Sequence, residues 1–241
     1  MDSLYIIIPA YNEEETILDV IHGWYPIIER YHGDGASRLV IINDGSTDHT
    51  ANILEEAAKT RPLLTTITKE NSGHGATVLF GYHFALEHGA DYIFQTDSDG
   101  QTLPEEFENF WLLRKDYDMV IGNRKNRQDG FSRKVVTKTL KAALCCCFGV
   151  SIPDANTPFR LMDAAILQKY IHLIPDKFYL SNVLLSVIYA KNERNVCYLP
   201  ITFQPRQGGK NSINLKKITK IGWKAIHDFL RLRYDVVCDK E

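Results

Sequence analysis

The chain has 241 residues, of which 44% are hydrophobic and 24% are charged, and its formal net charge is −2. This length is enough for one large α/β domain with an appendage, and the near-neutral charge excludes a general electrostatic attraction to nucleic acid. Nothing resembles a signal peptide or a run of roughly 18 apolar residues, and the five cysteines fit a reducing compartment. We therefore expect a cytoplasmic protein or one peripheral at a membrane.

Short apolar runs separated by helix signals organise the first half of the chain. The predicted strands cover residues 4–8, 38–42, 64–68, 91–95 and 118–122. Each ends in a polar loop, and helix starts follow, as at the acids 13–15 and at Pro104, because acids and proline favour the first turn of a helix. This alternation predicts a mostly parallel, doubly wound sheet, in which ligands bind outside the carboxyl ends of the strands.

The pattern changes after Arg124. A polar loop is predicted at 125–134. Two apolar helices are predicted at 135–150 and 180–190, and a strand at 196–203. The consecutive Cys145, Cys146 and Cys147 are expected on a buried or interfacial helix, since adjacent residues cannot all face one metal. The last helix, 215–233, mixes apolar and basic residues, which fits either a membrane-interface helix or a helix docked on the domain with a solvated basic face.

Two carboxylates follow the fourth predicted strand, one residue apart. Asp97 and Asp99 can converge on one hard cation, and Gln101 can add a neutral oxygen. Magnesium-type ions are typically held by one or two carboxylates and keep positions for substrate phosphates. The segment therefore predicts a divalent-metal site for a phosphorylated ligand; the alternative is a polar loop whose carboxylates only cap the next helix.

The loops after the first two strands add Tyr11, Glu13 and Asp44 to the same sheet edge. A Gly-x-x-x-x-Gly-Lys-Ser/Thr phosphate loop is absent, and Gly73 and Gly75 lack the Gly-x-Gly-x-x-Gly continuation, so neither a P-loop nor a dinucleotide site is expected. An acidic edge can bind a nucleoside diphosphate when a metal neutralises the phosphates. We predict a nucleotide-sugar site.

Three segments in this order resemble the successive motifs of the family 2, GT-A-fold glycosyltransferases. They are Ile6-Ile7-Ile8-Pro9-Ala10-Tyr11-Asn12-Glu13-Glu14, Asn43-Asp44-Gly45-Ser46-Thr47-Asp48 and Asp97-Ser98-Asp99-Gly100-Gln101. The resemblance extends to the polyprenyl-phosphate branch, which includes dolichol-phosphate mannose synthases and bacterial polyprenyl-phosphate hexosyltransferases. The resemblance to this branch is carried by four further segments: Val120-Ile121-Gly122-Asn123-Arg124, Ser132-Arg133, Thr157-Pro158-Phe159-Arg160-Leu161-Met162 and the loop from Arg206 to Lys210.

The resemblance implies a GT-A domain over residues 1–212, with a Rossmann-like, mostly parallel central sheet flanked by helices, and a C-terminal basic amphipathic helix over 213–241. It implies an inverting, metal-dependent transfer of a hexose from a GDP- or UDP-sugar to a polyprenyl (dolichyl or undecaprenyl) phosphate. A membrane surface or a small membrane-protein partner would recruit the enzyme to the cytoplasmic face of a membrane, and no nucleic acid partner is expected.

The resemblance also implies residue roles. The nucleotide sugar would be bound by Pro9, Tyr11, Glu13, Asp44, Asp97, Ser98, Asp99, Arg206 and Lys210. Asp97, Asp99 and Gln101 would hold Mg²⁺ or Mn²⁺ on the diphosphate, and Arg124 and Arg133 would face the acceptor phosphate. Asp97, Asp99, Arg124 and Arg133 are accordingly the predicted catalytic residues.

Some features depart from the family or leave alternatives open. His74 stands where many relatives carry lysine, and Pro158 where many carry glycine. Asp154 lies near the place of a general base, which keeps open a transfer to a saccharide hydroxyl in surface-glycan assembly; otherwise it is a turn residue after Pro153. Arg160 is either part of the site or a structural partner of a buried acid. A catalytically silent nucleotide-sugar-binding scaffold is the alternative of another class.

Overall fold

The computed structural model describes residues 2–124, 131–205 and 224–233, and only the main chain of residues 131–136. The described strands are β1 Leu4–Ala10, β2 Arg38–Asp44, β3 Leu64–Lys69, β4 Tyr92–Gln95, β5 Met119–Arg124, β6 Arg160–Asp163 and β7 Val196–Ile201. The helices are α1 Ile17–Arg30, α2 Thr50–Lys59, α3 His74–Glu87, α4 Phe107–Leu112, α5 Phe131–Phe148, α6 Ala164–Tyr170 and α7 Ser181–Lys191. Residues 224–233 form a further helix, α8.

One seven-stranded sheet, in the order β3-β2-β1-β4-β6-β5-β7, runs through the described chain. β6 is antiparallel to its neighbours β4 and β5, and the other paired strands are parallel. The order reverses between β1 and β4, which is the switch point where ligands bind in such sheets. Two successive reversals leave β5 parallel to β4, so the carboxyl ends of both strands lie at the same edge.

Both faces of the sheet are covered by helices. Alternate residues of β1 face opposite sides: Tyr5 and Ile7 join the core cluster that includes residues of α3 and α7, whereas Ile6 and Ile8 join the one that includes residues of α1 and α4. Helix α3 lies so close to the sheet that a Cβ on Gly81 would come within 2.3 Å of the Ile7 side chain. The uninterrupted apolar runs of the inner strands follow from this double coverage.

The mostly parallel sheet confirms the predicted fold class, but two local predictions were wrong. β1 continues through Pro9 and Ala10 in register with β2, where the sequence predicted a break. β6 was missed, because a four-residue strand next to a conspicuous motif carries too little periodicity to be detected.

The second half of the chain packs a helical layer against the sheet. Phe229 of α8 is fully buried and its ring contacts those of Phe148 and Phe178, so the described part of the terminal helix is docked on the domain. Cys145 and Cys146 are exposed on α5, which corrects the expectation of burial for these two thiols. None of the helices in the described segments is long and apolar enough to cross a membrane.

Candidate active site

A cavity of about 380 Å³ opens at the carboxyl ends of β1, β2 and β4. It is lined by Pro9, Ala10, Tyr11, Glu13, Asp44, Asn71, Gly73, His74, Thr77, Asp97, Ser98 and Asp99. Seven of the predicted donor-binding residues therefore surround one space, although they come from three separate loops. The ring of Tyr11 is about half exposed and lies at the surface of this space.

The loops after β1 and β2 are joined by hydrogen bonds between them. Asn12, which adopts a positive φ of 54°, accepts a hydrogen bond from the Thr47 amide at 2.8 Å. The amide of Glu13 donates to Thr50 Oγ1 at 2.9 Å. Asparagine tolerates the left-handed conformation better than most residues, so this loop can turn sharply and present Tyr11 and Glu13 to the cavity.

Thr16 connects the loop after β1 to the segment after β4, which is the predicted metal-binding segment. Its hydroxyl lies 3.0 Å from Glu13 Oε2 and 3.1 Å from the carbonyl oxygen of Ser98. A hydroxyl has one hydrogen, so it donates to one of these oxygens at a time. Thr16 is buried, and only its position directly before α1 could have indicated a role from the sequence.

Asp44 is held by the loop that follows β3. Its carboxylate accepts hydrogen bonds from the amides of Ser72 and Gly73, both at 2.9 Å, and pairs with the Lys69 ammonium. Burial opposes the charged form and is the largest single effect, but the bonds from Lys69 and the Ser72 amide outweigh it and hold the pKa of Asp44 below its usual value. Lys69 was not predicted from the sequence. It lies opposite Asp44 in the parallel pair β2–β3, and this register could have indicated it.

The segment after β4 forms a closed loop. The hydroxyls of Thr96 and Thr102 are buried and lie 2.8 Å apart, which joins the two ends of the loop. Within it, Asp99 Oδ1 accepts the Gln101 amide at 3.2 Å. This geometry fixes the main chain that carries Asp97 and Asp99 before any ligand binds.

His74 faces this loop from the first turn of α3. Its Nε2 lies 3.0 Å from Asp97 Oδ1, and its side chain is about half exposed. Loss of hydration opposes the protonated form, but Asp97, followed by Asp99 and Asp44, outweighs that effect and raises the pKa of His74. The imidazole lies at the cavity wall, in contact with Asp97.

Gln101 is tied to the segment after β7. Its Nε2 donates to the Gln204 carbonyl at 2.7 Å, and the Gln204 amide donates to the Gln101 carbonyl at 2.8 Å. The side-chain oxygen of Gln101 is not used in this pair. The assignment of Gln101 as a metal ligand stays a prediction, and the structure adds a second role in holding the chain at Gln204.

The donor atoms at this loop fit a small divalent cation. Asp97 and Asp99 provide carboxylate oxygens at the cavity wall. Within the described residues no group of three or more His, Cys, Asp and Glu side chains could hold a metal alone. Two carboxylates with positions left for phosphate oxygens are the arrangement that Mg²⁺ commonly takes, so the residues present suit a cation shared with a bound diphosphate.

Arg124 lies at the carboxyl end of β5, on the same sheet edge. Its Nε and Nη2 donate to the two carboxylate oxygens of Asp154, both at 2.8 Å. The two side chains are only 8% and 14% exposed, and the guanidinium also lies over the Phe203 ring, 5.0 Å from its centroid. Asp154, predicted as a base or a turn residue, is thus the partner of the predicted acceptor-binding arginine.

Arg160 is fully buried at the start of β6. Its guanidinium donates to main-chain carbonyls and to the Ser186 hydroxyl, which replaces the predicted pairing with a buried acid. Of the other predicted residues, Arg133 lies in α5 where only the main chain is described. Arg206 and Lys210 lie outside the described residues.

Comparison with known proteins identifies the family. The sequence profile described as Glycosyl transferase family 2 matches residues 5–178. The chain belongs to glycosyl transferase family 2. It is therefore a glycosyltransferase, as the sequence predicted.

Relatives of this family 2 chain fall in the predicted branch. It is 26% identical to polyprenol monophosphomannose synthase of Mycolicibacterium smegmatis, over 95% of the chain and 88% of that protein. It is 23% identical to undecaprenyl-phosphate 4-deoxy-4-formamido-L-arabinose transferase of Sodalis glossinidius, over 94% of the chain and 67% of that protein. In the Proteus mirabilis enzyme of the same name, the match covers 61% of the relative's length at 26% identity.

A solved structure also matches the fold of this chain. Glucosyl-3-phosphoglycerate synthase of Mycobacterium tuberculosis, solved with Mn²⁺, uridine-diphosphate-glucose and phosphoglyceric acid, superposes with a TM-score of 0.67. The match covers 96% of this chain and 79% of that one at 18% sequence identity. At this identity the likeness concerns the fold, and it confirms the predicted GT-A architecture.

Proposed function

We propose that this glycosyltransferase transfers a hexose, with inversion, from a UDP- or GDP-sugar to a polyprenyl phosphate, with Mg²⁺ or Mn²⁺ bound at Asp97 and Asp99. The observation that carries the proposal is that one sheet edge holds both an oxygen-lined cavity and, at the end of β5, the Arg124 guanidinium. The names of the relatives that act on undecaprenyl phosphate and polyprenol support the same acceptor class.

The donor cavity binds the nucleoside and positions the diphosphate. Tyr11, Glu13 and Asp44 take the base and ribose, and Asp97 and Asp99 face the diphosphate. When bound, the divalent cation stabilises the charge that develops on the departing nucleoside diphosphate. His74, in the first turn of α3, lies beside Asp97, which raises its pKa, so protonation of the imidazole would add positive charge next to the diphosphate.

The acceptor phosphate attacks without a general base. A phosphate monoester is anionic near neutral pH, so its oxygen forms the new bond to the anomeric carbon while the bond to the nucleoside diphosphate breaks. Attack from the opposite face inverts the configuration. Arg124 and Arg133 orient the phosphate oxygens, for which a guanidinium fork is well suited.

Asp154 is assigned to hold Arg124 and not to act as a base. Both of its oxygens accept hydrogen bonds from that guanidinium, so a base role towards a sugar hydroxyl would first require breaking a partly buried ion pair. We therefore favour transfer to a lipid phosphate over transfer to a saccharide hydroxyl.

The enzyme works at the cytoplasmic face of a membrane, where the polyprenyl phosphate is accessible. The exposed Lys138 and Lys141 on α5, and Lys224 and Arg231 on α8, would attract an anionic lipid surface. Leu230 on α8 is 45% exposed and adds an apolar contact. Recruitment by a small membrane protein would use the same surface.

The decisive experiment offers two acceptors to the purified chain. A panel of UDP- and GDP-hexoses with Mn²⁺ or Mg²⁺ is incubated with undecaprenyl or dolichyl phosphate, or with a soluble oligosaccharide, and products are identified by mass spectrometry. We expect a hexosyl phospholipid product that disappears with a chelator. Glycosylation of the oligosaccharide alone would refute the proposed acceptor, and turnover in chelator would refute the metal.

A further inference from the structure

The segment that carries Asp154 is short and irregular, and it leads into β6 at the sheet edge of the site. Its position matters because Asp154 holds Arg124 with two hydrogen bonds. An irregular segment has no ladder of its own to fix its carbonyls, so they need partners elsewhere. The partner here is a buried side chain from the next strand, Arg160.

Arg160 uses its guanidinium to hold this segment. Nε and Nη2 donate to the Thr157 carbonyl at 3.0 and 2.7 Å, and Nη2 also donates to the Ala155 carbonyl at 3.2 Å. Nη1 donates to the Asn182 carbonyl at 3.1 Å and to Ser186 Oγ at 3.4 Å. A guanidinium has five N–H hydrogens, and the five contacts account for all of them.

The cost of burying Arg160 indicates a specific role for it. The residue is 0% exposed, and a charge in the interior is destabilising unless its donors are satisfied. An apolar side chain could fill the buried position of Arg160 if packing were its only role. Instead the guanidinium joins the Asp154-bearing segment to α7. Ser186 Oγ lies 3.1 Å from the Ala155 carbonyl and 2.9 Å from the Asn182 carbonyl, and it donates to one of them at a time.

Arg160 also lies next to β4, the strand that leads into the predicted metal-binding loop, residues 96–102. It pairs with Gln95, the last residue of β4, across the antiparallel ladder. Gln95 precedes the loop with Asp97, and its Oε1 accepts a hydrogen bond from the Tyr82 hydroxyl at 2.7 Å. One buried residue is therefore adjacent both to the donor-side strand and to the acceptor-side segment.

We propose that Arg160 is a positioning residue for the acceptor phosphate. By fixing the carbonyls of Ala155 and Thr157, it places Asp154, which in turn orients the Arg124 guanidinium. The inference rests on the proposed function, because it takes Arg124 as the group that meets the acceptor phosphate. Arg160 itself touches no substrate.

The test compares acceptor kinetics with donor binding in the full chain. Arg160→Lys keeps the charge but replaces the planar fork with a flexible ammonium. We expect the KM for undecaprenyl phosphate to rise about tenfold, with kcat changed much less. Binding of UDP with Mn²⁺, measured by calorimetry, should stay within about twofold, because none of the residues that line the cavity lies in the segment 154–157.

A milder variant and a matched control complete the set. Ser186→Ala removes one acceptor of Arg160 and the second contact to the Ala155 carbonyl, and it should raise the acceptor KM about threefold. Tyr189→Phe lies on the same helix and removes a buried hydroxyl that has no hydrogen-bond partner among the described residues. It should leave both substrates unaffected.

Hydrogen exchange provides a readout that needs no turnover. Peptides covering residues 154–157 should exchange faster in Arg160→Lys and Ser186→Ala than in the wild type, and those covering residues 96–102 should not. If Arg160→Lys does not fold, Ser186→Ala decides the question. An unchanged acceptor KM in the folded variants, or an equal loss of donor and acceptor binding, would overturn the positioning role.

The two proposals fail in different ways. If the wild type transfers no hexose to any polyprenyl phosphate, the proposed function is wrong whatever the variants do. If the wild type is active but the acceptor KM does not respond to Arg160 or Ser186, only the positioning role is wrong.

Discussion

The proposed donor side and the proposed acceptor side of this enzyme are built in different ways. The proposed donor cavity is lined by residues at and after the carboxyl ends of the parallel strands β1, β2, β3 and β4, and each loop is one contiguous segment. The acceptor side combines Arg124 with Asp154, 30 positions away, and Arg160 at the start of an antiparallel strand. The first side can be recognised segment by segment, whereas the second exists only once the sheet is assembled.

The charges of the two sides are also balanced differently. At the donor side Asp97 and Asp99 face a cavity, where a cation and a diphosphate can complete their environment. At the acceptor side the Arg124–Asp154 pair is already formed and mostly buried. We therefore expect the proposed donor site to depend on its ligands for charge balance more than the proposed acceptor side does, because Arg124 is already paired with Asp154.

The largest effect is expected at the metal loop. Asp99→Asn removes one anionic ligand while keeping the side-chain size, and kcat should fall by about 10²- to 10³-fold because charge on the leaving group is no longer stabilised. Turnover is measured at limiting Mn²⁺. Glu105→Gln, an exposed acid close in sequence, is the control and should behave as wild type; full activity of Asp99→Asn would remove the metal assignment.

Lys69→Met tests how the donor side holds Asp44. Lys69 is 17% exposed and Asp44 5%, so the free energy of unfolding at neutral pH should fall by about 2 kcal/mol. Lys59→Met breaks an exposed pair with Glu56 and should cost below about 0.5 kcal/mol. Equal effects in the two variants would show that the Lys69–Asp44 pair contributes little.

The same pair predicts a pH dependence. The pKa of Asp44 is lowered in the folded protein, so its contribution to stability is present above its unfolded pKa of about 3.9 and is lost as pH falls through the folded pKa. In Lys69→Met, the free energy of unfolding should therefore decrease less than in the wild type as the pH falls. Urea unfolding at a series of pH values from about 7 down to 2 measures it, and parallel curves for wild type and variant would contradict the assignment.

Asp154→Asn separates the two acceptor hypotheses. If Asp154 only orients Arg124, the acceptor KM should rise about tenfold and kcat should change little. If Asp154 were a general base, kcat would fall by about 10²- to 10⁴-fold. Steady-state kinetics with whichever acceptor the wild type uses, polyprenyl phosphate or oligosaccharide, distinguish these results, and Asp118→Asn, an acid at the opposite end of β5, serves as the control.

The smallest effect is expected at Thr16. Thr16→Val removes the hydroxyl that lies between Glu13 and the Ser98 carbonyl but keeps the side-chain shape, so affinity for UDP with Mn²⁺ should fall about threefold. Calorimetry measures it. The exposed Thr60 gives the matched variant Thr60→Val, and an affinity unchanged in both would mean that the two loops are positioned independently of Thr16.

The sequence alone determined the α/β class, the parallel core of the sheet and the family. These properties are local: an apolar run, the turn after it and the next helix start are encoded by neighbouring residues. The loops with Tyr11, Asp44 and Asp97 therefore came together as expected, since the carboxyl ends of parallel strands share one edge.

Which of these groups are partners depends on the folded arrangement of the strands. The Lys69–Asp44 pair depends on the register of β2 with β3, and the Arg124–Asp154 pair depends on the reversal of β6 between β4 and β5. Arg160 could not be assigned to main-chain carbonyls from its motif, because those carbonyls belong to an irregular segment and to α7. Such pairings are set by strand order and packing, for which no short sequence pattern exists.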